Sequence, residues 1–193
     1  MAEKRARWHK HLAAEPACRL VFVDESGANT KMTRLRGRTL AGGRLLARIP
    51  HGHYQTSTLI SGMRLQGPCA PWLFEGPMNG EMFLAWVRQG LAPTLQKGDL
   101  VIMDNLATHK IGGIREAIEA AGARLLYLPP YSPDFNPIEN MWSKIKQILR
   151  GQDPRTESAL LLAAKMAFQA ISSADCQGYF FSAKYAILFM ETL

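Results

Sequence analysis

The chain has 193 residues, of which 47% are hydrophobic and 20% charged, a composition that is ordinary for a globular protein with a substantial core. Its 23 Lys and Arg residues against 16 Asp and Glu give a formal net charge of +7 at pH 7, which favours a polyanionic partner. The three cysteines, Cys18, Cys69 and Cys176, form no CxxC or Cys/His cluster, so neither a disulfide framework nor a zinc site is indicated. No apolar stretch approaches the roughly 18 to 20 residues that span a bilayer, and we therefore expect a cytoplasmic protein.

The chain alternates predicted strands and helices, which is typical of an α/β domain. Residues 1 to 18 form a polar, basic lead-in. Two nearly continuous hydrophobic runs, 20–25 and 99–105, predict central strands that are covered on both faces. Without an internal repeat or a linker, residues 1–193 are expected to form a single domain. Further strands, joined by turns, are predicted over three stretches: 26–48, 53–65 and 124–128.

Helices are predicted where apolar residues recur at helical spacing. Asn79 is a candidate N-cap for a helix ahead of the second central strand, and the helix after that strand is expected to end at Gly122. An Asn-Pro step at Asn136 predicts a helix over 137–150, because proline suits the first helical position. A last helix is predicted to begin near Asp153.

Carboxylates follow both central strands and open the predicted helix 137–150. Alternate residues of a strand share a face, so Asp24 and Glu25 must point to opposite sides of the sheet. If Asp24, Asp104 and Glu139 converge at one edge, they repel one another unless divalent cations lie between them. This pattern indicates metal-dependent phosphodiester chemistry, although an aspartate at a strand end can also do no more than cap a turn.

Other polar residues near Glu139 have two interpretations each. Asp134 is a rival for the third carboxylate, but it lies in a Ser-Pro-Asp turn and we favour a structural role for it. Ser143, Lys146 and Arg150 follow Glu139 at i+4, i+7 and i+11 and so share its edge of the helix. The two cations would suit successive phosphates, and the alternative is an ordinary solvated helix face.

A second basic region lies in segment 26–50, which contains no Asp or Glu. Cations without counter-charges favour phosphate binding, with a solvated hairpin as the alternative. His53 and His109 could touch DNA or orient an attacking water, but a lone histidine is more often structural. The cations of the segment are Lys31, Arg34, Arg36, Arg38, Arg44 and Arg48.

Four blocks of sequence point together to one family. In their order and spacing they resemble the mariner-like DDE transposases, specifically those of bacterial insertion sequences, over nearly the whole chain. The resemblance implies an RNase H-like mixed β-sheet flanked by α-helices, with Asp24, Asp104 and Glu139 as the catalytic and metal-binding residues. The blocks are 21–26 (Val-Phe-Val-Asp-Glu-Ser), 50–54 (Pro-His-Gly-His-Tyr), 103–110 (Met-Asp-Asn-Leu-Ala-Thr-His-Lys) and 128–139 (Leu-Pro-Pro-Tyr-Ser-Pro-Asp-Phe-Asn-Pro-Ile-Glu).

The resemblance also implies an activity: cleavage of double-stranded DNA at transposon ends, followed by strand transfer into target DNA. Two Mg²⁺ ions roughly 3.5 to 4 Å apart would activate the nucleophile and stabilise the leaving oxygen, and Mn²⁺ would substitute for them. A homodimer that pairs two DNA ends is the implied assembly. The residues expected to contact DNA are Arg34, Arg36, Arg38, Arg44, His109, Lys110, Lys146 and Arg150.

Family members usually carry a helix-turn-helix module upstream of the catalytic domain, whereas here about 20 residues precede the first central strand. We therefore expect a separate or frameshift-fused helix-turn-helix half to recognise the DNA ends, in association with the bacterial nucleoid. Two other functions stay open: an RNase H-like nuclease or resolvase, and a non-catalytic DNA-binding remnant of a decayed element. The proline-rich block favours the transposase over the first, and the three intact acids argue against the second.

Overall fold

A mixed sheet of five strands forms the centre of the structure, a computed structural model that describes residues 5, 7, 8, 10, 12, 15–46, 50–52 and 54–185. The strand order is β3-β2-β1-β4-β5; β1 pairs with β2 and β2 with β3 antiparallel, while β1 with β4 and β4 with β5 are parallel. The α/β architecture expected from the sequence is confirmed. The strands are β1 (Leu20–Asn29), β2 (Thr56–Arg64), β3 (Gly67–Glu75), β4 (Leu100–Met103) and β5 (Arg124–Tyr127).

Helices cover both faces of this sheet. One face packs against α1, a π-helical turn over Val87–Leu91 and α2, and the other packs against α3, α4 and α5. Within the described part of the chain, no helix is both long enough and apolar enough to cross a membrane. The helices are α1 (Gly80–Trp86), α2 (Ile114–Ala120), α3 (Ile138–Gln152), α4 (Glu157–Gln169) and α5 (Ser173–Ser182).

Strand β1 separates two hydrophobic cores. Val21 and Val23 point into the core that α1 and α2 close, together with Trp86. Phe22 points the other way, into the core beneath α3, where its ring meets that of Phe180 edge-on with 5.4 Å between centroids. Both faces of the strand are buried, and this explains why its sequence is a continuous apolar run instead of an alternating one.

The central strands were predicted correctly, and the flanking strands only in part. β1 continues beyond residue 25 to Asn29, and the predicted strand over 53–65 is found as Thr56–Arg64. The prediction of strands over 26–48 is wrong beyond Asn29, because the described residues 30–46 form no strand. This segment is rich in Gly and Arg and has too few apolar side chains to bury a sheet face. Strand β3 was not assigned.

Two helices begin close to the positions that the sequence predicts. The side chain of Asn79 accepts the backbone N–H of Met82 at 2.8 Å and so caps α1 as predicted. The predicted helix 137–150 is confirmed as Ile138–Gln152. It ends at Asp153, which adopts a left-handed conformation with φ of 54°.

The C-terminal helices differ from the prediction. The helix expected to start near Asp153 begins at Glu157, after Thr156, whose side chain accepts the N–H of Ala159 at 3.1 Å. A further helix, α5, was missed. It starts with a capping box in which Ser172 and Asp175 satisfy each other's backbone N–H groups, a sequence signal that was available but not used.

The N-terminal residues, which were predicted to be a polar, basic lead-in, also contribute to a hydrophobic core. Trp8 and Leu12 are buried and belong to the core beneath α3. The indole Nε1 of Trp8 donates to the hydroxyl of Tyr185 at 2.9 Å, and this hydroxyl lies 2.6 Å from the carbonyl oxygen of Phe135, to which it donates. Side chains near both ends of the described chain therefore hold the segment that leads into α3.

We expect Ile145→Ala to lower the free energy of unfolding by about 2 to 5 kcal/mol, because Ile145 is fully buried where α3 packs on the sheet. The matched control on the same helix is Gln147→Ala, an exposed position where the change should stay within about 0.5 kcal/mol. Urea unfolding followed by circular dichroism measures both. Equal effects at the two positions would contradict the assigned packing of α3.

Candidate active site

Parallel pairing of the two central strands places two aspartates side by side. β1 and β4 are in register from Leu20 opposite Leu100 to Val23 opposite Met103, and the next residues are Asp24 and Asp104. Both carboxylates therefore leave the sheet at the same edge. By alternation along β1, Asp24 lies on the same side as Phe22, which packs in the core beneath α3.

Helix α3 adds the third carboxylate. Glu139 lies in its first turn, and its side chain is exposed. All three predicted acids line one pocket of about 440 Å³. The remaining lining comes from residues 105–106, 128–133 and Asn136.

Like charges and burial dominate the electrostatics of this pocket. Burial raises the pKa of Asp24, and the nearby carboxylates of Glu139, Glu25 and Asp104 raise it further, to about 8, against a smaller opposing effect of a backbone hydrogen bond. Without a compensating cation, Asp24 thus retains its proton near neutral pH.

The residues present fit a divalent cation by their chemistry. The pocket presents carboxylate oxygens, the ligands that Mg²⁺ and Mn²⁺ prefer, and a cation would relieve the repulsion that raises the pKa of Asp24. Among the described residues, no three His, Cys, Asp or Glu side chains are yet arranged to hold one ion. The exposed side chain of Glu139 has the rotamer freedom to approach the two aspartates.

The structure corrects the prediction for His109. Its ring is fully buried and packs on Phe83 with 4.3 Å between ring centroids, so it is not placed to contact DNA. Nε2 hydrogen-bonds both carboxylate oxygens of Glu25, at 2.9 and 3.0 Å, and Nδ1 lies 2.7 Å from Oδ1 of Asp104. Burial lowers the pKa of His109, but these two carboxylates raise it by more, to about 9.

Glu25 was not assigned a role from the sequence, although its strand position did predict that it faces away from Asp24. It points to the side of the sheet where His109 and Phe83 lie, and only 14% of its side chain is exposed. The only available signal was the alternation along β1. The contact itself joins residues 84 positions apart and has no local sequence signature.

Asp134, the rival for the third carboxylate, makes a different contact. It accepts two hydrogen bonds from Arg5, at 3.0 and 2.7 Å, and does not line the acidic pocket. Arg5 also donates to the carbonyl oxygen of Tyr131 at 3.1 Å and to Oγ of Ser132 at 2.7 Å. This guanidinium therefore fixes the loop that precedes Glu139, which supports the structural role favoured for Asp134. Sequence reasoning missed Arg5.

Basic residues of two distant segments meet beside α3. Lys31 of the loop after β1 lines a groove of about 420 Å³ with Lys146 and Arg150 of α3. Arg150 also lines a second groove, of about 930 Å³, together with Arg34 and Arg36. We call these two together the basic grooves. They join the predicted cations of the loop to those of the helix.

The other predicted DNA-binding residues are more dispersed. Arg38 and Arg44 are exposed in the loop after β1 but do not line the basic grooves. Lys110 is exposed, with its Nζ 5.7 Å from the centroid of the Tyr127 ring. Arg48 and His53 lie outside the described residues. For the exposed residues, DNA contact stays a prediction.

The sheet order and the helices on both faces make this an RNase H-like fold, as the match to the Mos1 transposase catalytic domain shows. Residues 19–161 match the family model described as a DDE superfamily endonuclease. The chain therefore belongs to the DDE superfamily endonucleases. A sequence search of curated proteins gives no match.

Several solved structures share the fold. A pre-cleavage Mos1 transpososome superposes with a TM-score of 0.77 at 13% identity, over 96% of this chain and 60% of that one. The Mos1 transposase paired-end complex with the left transposon end gives 0.74 at 13% identity, over 94% and 57%. The Mos1 transposase catalytic domain with raltegravir and Mn gives 0.68 at 13% identity, over 94% and 86%. The chain thus spans about 57 to 60% of the longer Mos1 chains that it matches.

We expect the free energy of unfolding in chelator to fall as pH rises from 3.8, the usual pKa of aspartate, to about 8. In that range folded Asp24 holds a proton that the unfolded chain has released, so the folded state binds more protons and loses stability with rising pH. Asp24→Asn should flatten this decline. The free energy of unfolding of the variant, relative to that of the unmodified chain, should therefore increase by at least about 1 kcal/mol from low to high pH.

Urea unfolding at both ends of this pH range measures the effect. Asp134→Asn is the control, because it removes one carboxylate outside the pocket and should keep the decline. An Asp24→Asn variant that declines as steeply as the unmodified chain would contradict the repulsion inferred within the pocket.

Proposed function

We propose that this chain is the catalytic domain of a DNA transposase that cleaves transposon ends and transfers them to target DNA. The observation that carries the proposal is one pocket lined by Asp24, Asp104 and Glu139, with the basic grooves farther along the same helix. Membership of the DDE superfamily endonucleases supports DNA cleavage. The Mos1 structures with the same fold include complexes with transposon ends, which supports the substrate.

In this proposal Asp24, Asp104 and Glu139 bind Mg²⁺, or Mn²⁺ in its place. When bound, two such ions supply an activated nucleophile on one side of the scissile phosphate and charge stabilisation for the leaving oxygen on the other. Asp24 contributes from within β1 and Asp104 from the position directly after β4, and the pairing of these two strands sets the two aspartates side by side. Glu139 contributes from the start of α3, and its exposed side chain approaches from the open side of the pocket.

The spacing along α3 suggests how DNA lies on the protein. Lys146 and Arg150 follow Glu139 by seven and eleven residues, which at about 1.5 Å per residue places them roughly 10 and 16 Å along the helix. At about 3.4 Å per nucleotide along a duplex strand, these cations would face phosphates about three to five nucleotides from the one being cleaved. Lys31, Arg34 and Arg36 line the same grooves and would contact the same strand.

The same proposal includes partners. Pairing two DNA ends requires two catalytic sites, so we propose a homodimer as the active form. The basic grooves offer phosphate contacts, which position DNA but do not read its sequence. We propose that a helix-turn-helix half, fused or separate, supplies recognition of the ends, and that the protein belongs to a bacterial insertion sequence acting at the nucleoid.

We expect Asp24→Asn, Asp104→Asn and Glu139→Gln each to reduce Mg²⁺-dependent DNA cleavage by at least about 100-fold, because each removes a metal-binding charge at nearly constant volume. Asp134→Asn is the matched control and should retain most activity, because that carboxylate binds Arg5 and not the pocket. Nicking of a labelled duplex that carries the inverted repeat measures all four. An inactive Asp134→Asn variant together with an active Glu139→Gln variant would show that Asp134, in the turn, is the third metal ligand instead of Glu139.

Strand transfer separates a transposase from a nuclease or resolvase of the same fold. A pre-cleaved end with a free 3′-hydroxyl should become joined to target DNA in the presence of Mg²⁺, because the freed hydroxyl replaces water as the nucleophile. Cleavage without any joined product would favour the nuclease. Duplex binding with neither reaction would favour a non-catalytic remnant.

The basic grooves predict duplex binding that is salt-dependent and nearly indifferent to sequence. Replacing Arg34, Arg36 and Arg38 by Ala should lower the affinity equally for inverted-repeat and random DNA and make the slope of log K against log salt shallower by about two to three. Fluorescence anisotropy across a salt series measures both effects.

The charge-matched control for that triple variant replaces three cations by Ala at the other end of the sheet, near the starts of β4 and β5. It should leave both the affinity and the slope nearly unchanged. Equal losses from the two triple variants would show that net charge alone, and not the grooves, binds DNA. The control positions are Arg19, Lys97 and Arg124.

A further inference from the structure

A buried chain of polar contacts runs from the back of the sheet to one of the proposed ligands. Both carboxylate oxygens of Glu25 hydrogen-bond Nε2 of His109, at 2.9 and 3.0 Å. On the other side of the ring, Nδ1 lies 2.7 Å from Oδ1 of Asp104.

The position of the ring is unusually constrained. The ring of His109 has no exposed surface and packs against Phe83. Its Nδ1 is buried and lacks a hydrogen bond of good angle despite the short distance to Asp104. A buried polar atom left in this state is destabilising, so the position of the ring calls for an explanation.

The contacts of Asp104 bear on the role of the ring. Its Oδ1 also accepts the backbone N–H of Leu106 at 3.1 Å. The same oxygen is therefore approached by His109 and by Leu106, whereas no hydrogen bond to Oδ2 is found among the described residues. One oxygen of this carboxylate thus has two protein contacts and the other has no hydrogen bond among the described residues, in a side chain that lines the pocket.

We propose that His109 and Glu25 are positioning residues that orient Asp104 for metal binding. The inference rests on the proposed function, since it gives a role to two residues that lie behind one proposed ligand of the same site. Glu25 holds the ring through Nε2, the ring holds Oδ1 of Asp104 through Nδ1, and Oδ2 is directed to the ion. Partners of this kind behind a ligating carboxylate are typically worth about 10- to 100-fold in metal affinity.

The competing explanation is that His109 is an ordinary core residue whose polar atoms happen to be satisfied nearby. The two explanations differ in what a substitution changes. A packing role changes the stability of the protein without metal, whereas a positioning role changes the concentration of metal that half-saturates the site. Glu25 is itself an anion close to the pocket, so it could affect metal binding by its charge alone. The experiment must therefore separate the effect of that charge from the orientation of the ring.

The experiment titrates Mg²⁺ against the full chain without DNA and reads the rise in melting temperature relative to each variant's own metal-free value. His109→Phe keeps a ring beside Phe83 but removes both nitrogens, and Glu25→Ala removes the anchor of the ring. We expect each to raise the half-saturating Mg²⁺ concentration by about 10- to 100-fold. Saturating Mg²⁺ should restore DNA cleavage by His109→Phe toward that of the unmodified chain.

Two further variants serve as controls. Glu25→Gln removes the charge but keeps an oxygen that accepts from Nε2, so its half-saturating concentration should stay within about 3-fold of the unmodified chain. Phe83→Leu weakens the packing of the ring without touching either carboxylate. It should lower the metal-free melting temperature and leave the half-saturating concentration unchanged.

Three results would overturn the inference. Half-saturation of both His109→Phe and Glu25→Ala within about 3-fold of the unmodified chain would show that Asp104 needs no such support. A Glu25→Gln variant as impaired as Glu25→Ala would show that charge and not orientation matters. The absence of any Mg²⁺-induced shift in the unmodified chain would overturn the proposed function as well, whereas a normal shift there with normal variants would overturn this inference alone.

Discussion

The in-register parallel pairing of β1 with β4 is the constraint on which the site depends. It continues one residue past the last paired positions and so places Asp24 beside Asp104 at one edge of the sheet. Two carboxylates on neighbouring strands repel each other, and burial makes the repulsion stronger. The rest of the site is built around this unfavourable pair.

The surroundings of the two aspartates shift their pKa values in opposite directions. Burial and three neighbouring carboxylates raise the pKa of Asp24 to about 8, so it holds a proton readily. Burial would raise the pKa of Asp104 too, but contacts with His109 and with the backbone N–H of Leu106 lower it below its usual value. Asp104 thus stays charged while Asp24 holds a proton, and this difference reduces the repulsion between them in the folded protein.

The sequence predicted the parts of this arrangement that have local causes. Continuous apolar runs located β1 and β4, strand alternation put Asp24 and Glu25 on opposite faces, and the Asn-Pro step located the start of α3. The contact between His109 and Glu25 spans 84 positions and that between Arg5 and Asp134 spans 129. Contacts of this kind arise from tertiary packing, and they leave no period or spacing in a single sequence to be read.

The loop before Glu139 is stabilised by contacts with residues that lie outside the region that matches the family. Arg5 bonds Asp134 and Tyr131 directly, and Trp8 reaches the carbonyl oxygen of Phe135 through the hydroxyl of Tyr185. Arg5, Trp8 and Tyr185 all fall beyond residues 19–161, the span of the family match. An expression fragment trimmed to that span would keep all three acids and lose the supports of the loop that delivers the third, so catalytic boundaries in such proteins are better drawn from contacts than from the extent of a family match.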